Sequence, residues 1–209
     1  MTTTPIVHYF DYKSPYAYLA QAETYQLDQE LGVQWRPYTL DIPKFLGAAK
    51  LDASGHDTLD ERNDHQWRRV RYAYMDCRRQ ANDRGLVIRG PRKIFDSTVA
   101  HRAFLFAAKQ GTHRAFHDAT FERFWKREID IEDISAVERL LEETGSETAD
   151  FRGYLNGEGQ TELARIQSEA EEKGVFGVPS FLVSDELFFG NERIDRVRAT
   201  ANRISNLEL

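Results

Sequence analysis

Strand-like segments occur only towards the two ends of this chain, and this separation limits its possible folds more than any other feature. Residues 6–12 form a β-branched and aromatic run that is too continuous for a one-sided edge strand and is typical of a buried central strand. Apolar residues with a helical period follow up to Gly32, and residues 33–40 predict a second strand. We therefore expect two parallel strands joined by a right-handed crossover.

Between about residues 43 and 174 the pattern is helical, with short polar breaks and no convincing strand. Asp130 is expected to cap one of these helices, and Gly145 suits the position just past its end. The aromatic residues of this block recur at helical spacing, which favours packing between helices over a cofactor site. They are Phe116, Phe121, Phe124 and Trp125.

After Gly174 the strand pattern returns in residues 175–184, and a turn at Asp185 followed by residues 186–189 predicts a hairpin. A last helix is expected to open at residues 190–192. The order βαβ, helical block, ββα predicts an α/β fold with a large all-helical insertion. Its three parts are residues 1–42, 43–174 and 175–209.

The composition favours a small-molecule partner. A net charge of −6 argues against broad affinity for nucleic acid or an anionic membrane. The sequence shows neither a secretory signal pattern nor an apolar stretch of membrane-spanning length, so we expect a cytosolic protein. Cys77 is the only cysteine, which excludes an intramolecular disulfide and a two-cysteine redox motif. We expect it to be an inert thiol on a helix.

Three short motifs mark the positions where chemistry is expected. Ser14 and Pro15 suit the cap and first position of the first helix, where free backbone N–H groups attract anions. Pro179, just before a strand, suggests an edge, a bulge or a cis peptide bond, and a cis bond would leave both backbone groups of Val178 free for an extended ligand. Asn191 and Glu192 open the last helix. Taken singly, each motif is also explained by ordinary capping or turn chemistry.

Together these segments resemble a known family. The runs at residues 10–20, 174–181 and 189–193 look like the signature segments of 2-hydroxychromene-2-carboxylate isomerases and kappa-class glutathione transferases, within the DsbA-like thioredoxin superfamily. A further set in the helical block resembles a helix that the family carries there. That set is Tyr72, Asp76, Arg79, Ala81 and Gly85.

The resemblance implies a thioredoxin-like core with a helical insertion, glutathione as cofactor, a small-molecule substrate and a homodimer. Ser14 stands where disulfide oxidoreductases keep their first cysteine, and it would donate a hydrogen bond to the glutathione sulfur. Val178, beside a cis Pro179, would pair with the cysteinyl backbone. Asn191 and Glu192 would hold the γ-glutamyl end, although the family usually has aspartate at the latter position.

Arg71 is predicted to bind the glycyl carboxylate, since it precedes Tyr72 where relatives tend to place a lysine; the alternative is a solvated charge on a helix face. Residues 47–49 are Gly-Ala-Ala, where relatives often show an asparagine that touches the ligand. Several histidines and aspartates have metal-ligand chemistry but irregular spacing, which argues against a metal site. They are His56, Asp57, Asp60, Asp64 and His65. The three histidines of the helical block are interpreted as structural or exposed; they are His101, His113 and His117.

The leading functional hypothesis is a glutathione-dependent isomerase acting on a conjugated aromatic acid such as 2-hydroxychromene-2-carboxylate. A glutathione transferase or peroxidase would use the same thiolate. A non-catalytic glutathione- or peptide-binding module is the alternative from another class. A DsbA-like oxidoreductase is disfavoured because Ser14 replaces the thiol that it needs.

Overall fold

A computed structural model describes residues 6–42 and 64–207. Its sheet has four strands in the order β2-β1-β3-β4. They are β1 (Ile6–Phe10), β2 (Val33–Pro37), β3 (Ser180–Val183) and β4 (Glu186–Phe189). β1 runs parallel to β2 and antiparallel to β3, and β3 and β4 form the expected hairpin. The prediction of a buried central first strand is confirmed.

The first helix, α1 (Pro15–Leu31), connects the two parallel strands. It begins at Pro15 with Ser14 as its N-cap, and Gly32 closes it with a φ of 75°, a backbone conformation that glycine adopts without strain. β2 ends three residues earlier than expected, because the amides of Thr39 and Leu40 donate to side chains instead of a neighbouring strand.

Six helices lie between β2 and β3 in the part of the chain that the structure describes. They are α2 (Asp64–Asp83), α3 (Thr98–Gln110), α4 (His113–Lys126), α5 (Ile134–Glu143), α6 (Phe151–Asn156) and α7 (Glu158–Glu172). A single 3₁₀ turn (Asn191–Arg193) then leads into α8 (Ile194–Leu207). None of the described helices is long and apolar enough to cross a membrane. The division at residues 42/43 and 174/175 stays a prediction.

The hydrophobic core has two parts. A small cluster joins the sheet to α1 and α8 through residues such as Ile6, Leu27 and Val197. The larger cluster continues from the sheet into the inserted helices, and the aromatic residues of α4 are buried within it. The inserted helices thus share one core with the sheet, and the interpretation of the aromatic stripe as helix packing is confirmed.

Two local predictions are wrong. Asp133, not Asp130, caps α5, because the Asp133 carboxylate accepts from the backbone N–H groups of Ser135 and Ala136. Residues 175–179 are not a strand either, since the Val175 N–H donates to the Ala170 carbonyl at the end of α7, 2.9 Å away.

Candidate active site

Ser14 lies at the amino end of α1 and is 5% exposed. Its Oγ accepts from the Ala17 N–H at 3.2 Å, so the predicted cap is confirmed. The same hydroxyl donates its proton to the Val178 carbonyl at 3.1 Å, across the turn from α1. The Ser14 proton is therefore directed at the backbone of a second loop.

The Val178–Pro179 peptide bond is cis, as predicted. The Val178 carbonyl is not free as expected, because it accepts the Ser14 hydroxyl proton. Its N–H has no acceptor in the described part of the chain. This loop therefore presents one unused backbone donor and one acceptor that a ligand would share with Ser14 or take over.

Two adjoining cavities meet at Tyr16, Val178 and Phe189. The smaller has a volume of about 420 Å³, and its lining carries the carboxylates of Asp76 and Glu192. The larger, of about 610 Å³, is lined by Ser14, by apolar side chains and by cations. Its cations include Lys13, Arg68 and Arg69, and the described residues of its lining include no Asp or Glu. The two cavities therefore suit ligand groups of opposite charge.

A chain of hydrogen bonds runs along the smaller cavity. The Asn191 amide donates to Gln80 at 2.9 Å, Gln80 donates to Asp76 at 2.9 Å, and the Tyr16 hydroxyl donates to the same carboxylate at 3.1 Å. Burial and the Asp76 carboxylate raise the pKa of Tyr16, so its phenol stays protonated and serves as a donor. This chain fixes the Asp76 carboxylate between α1 and the turn before α8.

Glycine is required at position 190, beside this series of hydrogen bonds. Its φ is 110°, and a Cβ added there would collide with the Glu192 carboxylate. The exposed Glu192 side chain therefore folds back over the turn and reaches the smaller cavity.

A family model described as a DSBA-like thioredoxin domain matches residues 5–201. The chain belongs to this family. It is 29% identical over 197 residues to a 2-hydroxychromene-2-carboxylate isomerase of Sphingobium xenophagum, covering 92% of this chain and 95% of that protein. It is 26% identical over 200 residues to a protein of the same name from Pseudomonas putida, covering 94% and 93%. The resemblance drawn from the sequence motifs to these isomerases is confirmed.

Solved structures agree on the fold of this DSBA-like protein. A structure of a 2-hydroxychromene-2-carboxylate isomerase superposes with a TM-score of 0.74 at 22% identity, covering 98% of this chain and 97% of that one. A probable DsbA oxidoreductase from Streptomyces coelicolor gives the same TM-score at 19% identity, covering 94% and 89%. The prediction of a thioredoxin-like fold with a helical insertion is confirmed.

Five of the six predicted site residues of this DSBA-like chain line the two cavities: Ser14, Val178, Pro179, Asn191 and Glu192. Arg71 is exposed on α2, and it is Arg68 and Arg69 on the same helix that are among the residues lining the larger cavity. The role of each residue in binding glutathione stays a prediction. Residues 47–49 and the histidine and two aspartates at 56, 57 and 60 lie outside the described residues.

Asp11 was missed by the sequence reasoning. It is completely buried below the site, where its carboxylate accepts from the Lys13 N–H at 3.1 Å, the Leu40 N–H at 2.8 Å and the Ser97 hydroxyl at 2.5 Å. Burial raises the pKa of this carboxyl, but Lys13, His101 and the Ser97 hydroxyl outweigh it and hold the pKa below its usual range. Asp11 thus ties the Ser14 loop to β2 and to the start of α3 as an anion.

The other reactive side chains are structural in this geometry. Cys77 is buried, and burial raises its pKa to about 11, so it carries almost no thiolate at neutral pH. His101 and His117 are buried in the core, and His117 faces the Tyr12 hydroxyl at 3.2 Å. Within residues 6–42 and 64–207, no cluster of three or more His, Cys, Asp or Glu has the arrangement of a metal site.

Proposed function

We propose that this chain is a glutathione-dependent isomerase of a conjugated aromatic acid such as 2-hydroxychromene-2-carboxylate. The observation that carries the proposal is the position of Ser14, at the amino end of α1, close to where an acidic and a cationic cavity meet. The names of the two curated relatives support the reaction and the substrate class.

The residues present fit glutathione. The unused Val178 N–H and the shared Val178 carbonyl match the backbone of an extended peptide. The Asp76 and Glu192 carboxylates match the γ-glutamyl ammonium, and Asn191 supports Asp76 through Gln80. Arg71 is our candidate for the glycyl carboxylate; it is exposed on α2, the helix whose Arg68 and Arg69 line the larger cavity.

Bound glutathione would supply a thiolate that adds reversibly to a conjugated double bond, so that rotation about the resulting single bond precedes its departure. The protein must make that thiolate abundant at neutral pH. Lowering a thiol pKa from about 8.5 by about two units requires about 2.7 kcal/mol. A helix amino end gives about 0.3–1 kcal/mol, up to about 2 in a partly buried site, and a hydrogen bond to a charged acceptor about 1.5–3. The Ser14 hydroxyl, turned from Val178 towards the sulfur, supplies the larger share.

The test is to incubate the protein with glutathione and 2-hydroxychromene-2-carboxylate, following the cis–trans conversion by absorbance and free thiol by a colorimetric assay. We expect conversion that requires glutathione and leaves its concentration unchanged. Net loss of thiol would instead indicate a transferase that uses the same site, and loss of thiol only after hydrogen peroxide is added would indicate a peroxidase. Glutathione binding without any turnover of the acid would indicate a binding module.

The homodimer and the cytosolic location implied by the resemblance and the composition stay predictions.

A further inference from the structure

Lys13 places a buried cation beside Ser14. Its side chain is only 8% exposed, yet it lines the larger cavity, and its ammonium lies 3.5 Å from the Asp11 carboxylate. In the described chain Asp11 is the one acidic group that this ammonium approaches. A lysine ammonium has three donors, so at least part of its hydrogen-bonding capacity is open to a ligand in the cavity.

Asp11 holds this ammonium in place and leaves part of the ammonium's positive charge available to a ligand. The carboxylate already accepts three shorter hydrogen bonds, from two backbone amides and the Ser97 hydroxyl. The buried His101 ring also approaches this carboxylate, with its Nε2 3.4 Å away, and the contact with the ammonium, at 3.5 Å, is the longest of the five. Asp11 therefore holds the ammonium in place, and the Lys13 side chain lines the larger cavity.

The rest of the larger cavity suits an apolar ligand that carries a negative group. Leu40, Ile42 and Phe189 contribute apolar walls. Arg68 and Arg69 also contribute positive charge, but they are exposed on α2, where solvent screens them more than the buried Lys13. A cation is strongest as a binding group where it is desolvated and held in place.

We infer that Lys13 determines the specificity of the larger cavity by binding the carboxylate of the substrate, with Asp11 as the residue that positions it. The identity of the natural acid rests on the proposed function, but binding of an aromatic carboxylate does not require the reaction. The proposal therefore predicts a measurable preference for an acid over its neutral ester.

The experiment measures binding of cinnamate and of methyl cinnamate by calorimetry. The unchanged protein should bind cinnamate about tenfold or more tightly than the ester, the ratio expected for one hydrogen bond to a charged group. Lys13→Met should abolish that preference while leaving the ester's affinity unchanged, and Lys13→Arg should retain most of it. Lys173→Met is the matched control, because it removes an exposed lysine that pairs with Asp185 and that is not among the residues lining either cavity; it should behave like the unchanged protein.

Equal affinity of the unchanged protein for the acid and the ester would overturn the proposal. So would a preference that survives in Lys13→Met, or a loss of both probes to the same extent. Lys13→Gln, whose amide still reaches Asp11, gives the same comparison if Lys13→Met does not fold. Failure of the proposed function is distinguishable, because it would appear as absence of isomerisation with the preference for cinnamate intact.

Discussion

The side-chain oxygen of Ser14 has two roles, one as a hydrogen-bond acceptor and one as a donor. Its lone pair accepts from the Ala17 N–H and starts α1, while its proton is donated to the Val178 carbonyl. Only the proton is needed to stabilise a thiolate. A substitution that keeps the hydroxyl should therefore keep both roles, and one that removes it should lose both the cap and the charge-assisted hydrogen bond.

Ser14→Ala should raise the pKa of bound glutathione by about one to two units, because it removes one hydrogen bond of about 1.5–3 kcal/mol to the sulfur. Affinity for glutathione should change little, since the other expected contacts lie around Val178, Asp76 and Glu192. The measurement is thiolate absorbance in the ultraviolet, titrated against pH with glutathione bound.

Ser14→Thr, which keeps the hydroxyl, should titrate like the unchanged protein. Ser168→Ala serves as a second control, because Ser168 is an exposed serine on α7 that hydrogen-bonds Glu172. Coincident titration curves for Ser14→Ala and the unchanged protein would reduce Ser14 to a helix cap.

At the scale of helices and strands, the sequence predicts those features that depend on residues close together in the chain. Ser14 and Pro15, which are adjacent in the chain, mark the start of α1. The motif around Pro179 alone leaves an edge, a bulge or a cis bond open, and the cis bond that is observed follows from the family resemblance. The Asp11 network could not be predicted, because its partner Ser97 is 86 positions away and the two meet only through packing of the inserted helices. The polar chain from Asn191 to Gln80 spans 111 positions and escaped for the same reason.

The misplaced cap of α5 shows a subtler limit. Asp130 and Asp133 both precede the same apolar run, and both accept a backbone N–H two residues further on. Only the Asp133 carboxylate also accepts from the backbone N–H three residues further on, and only Asp133 directly precedes the first helical residue. Composition and spacing do not distinguish a cap from a turn one step upstream.

Asp133→Ala should therefore destabilise the protein by about 1 kcal/mol, within the range of about 0.5–2 measured for lost N-caps. Asp130→Ala is the matched control and should cost less, because its single turn hydrogen bond lies outside the helix. Urea denaturation at neutral pH provides the comparison through the transition midpoints. If Asp130→Ala destabilised the protein more than Asp133→Ala, Asp130 would be the cap of α5, as the sequence predicts.

Considered as a whole, the molecule has uncharged imidazoles in the core that joins its sheet to its insertion. His8 lies on β1 with its ring stacked on Phe181 at 4.5 Å and edge-on to Trp35 at 5.0 Å, and its Nδ1 has no partner among the described residues. His117 on α4 contacts the ring of Phe10. The same core supports Asp11 and the loop that carries Ser14. Protonation of these histidines should therefore change the stability of the whole fold.

Burial lowers the pKa of His8 to about 3, and burial together with His8 and neighbouring histidines lowers that of His117 well below 6.5. An unfolded chain takes up these protons below about pH 6.5, whereas the native chain does not. Their contribution to stability is thus complete above that pH and is lost as pH falls, by about 1.4 kcal/mol per pH unit for each histidine. Asp11 adds to the loss below about pH 3.8, since its pKa is held down in the native state.

Urea denaturation between pH 7 and pH 4 should therefore show a free energy of unfolding that falls with pH. His8→Leu should reduce the slope of that fall by the contribution of one histidine, about 1.4 kcal/mol per pH unit. Equal slopes for His8→Leu and the unchanged protein would mean that His8 does not remain neutral in the native core.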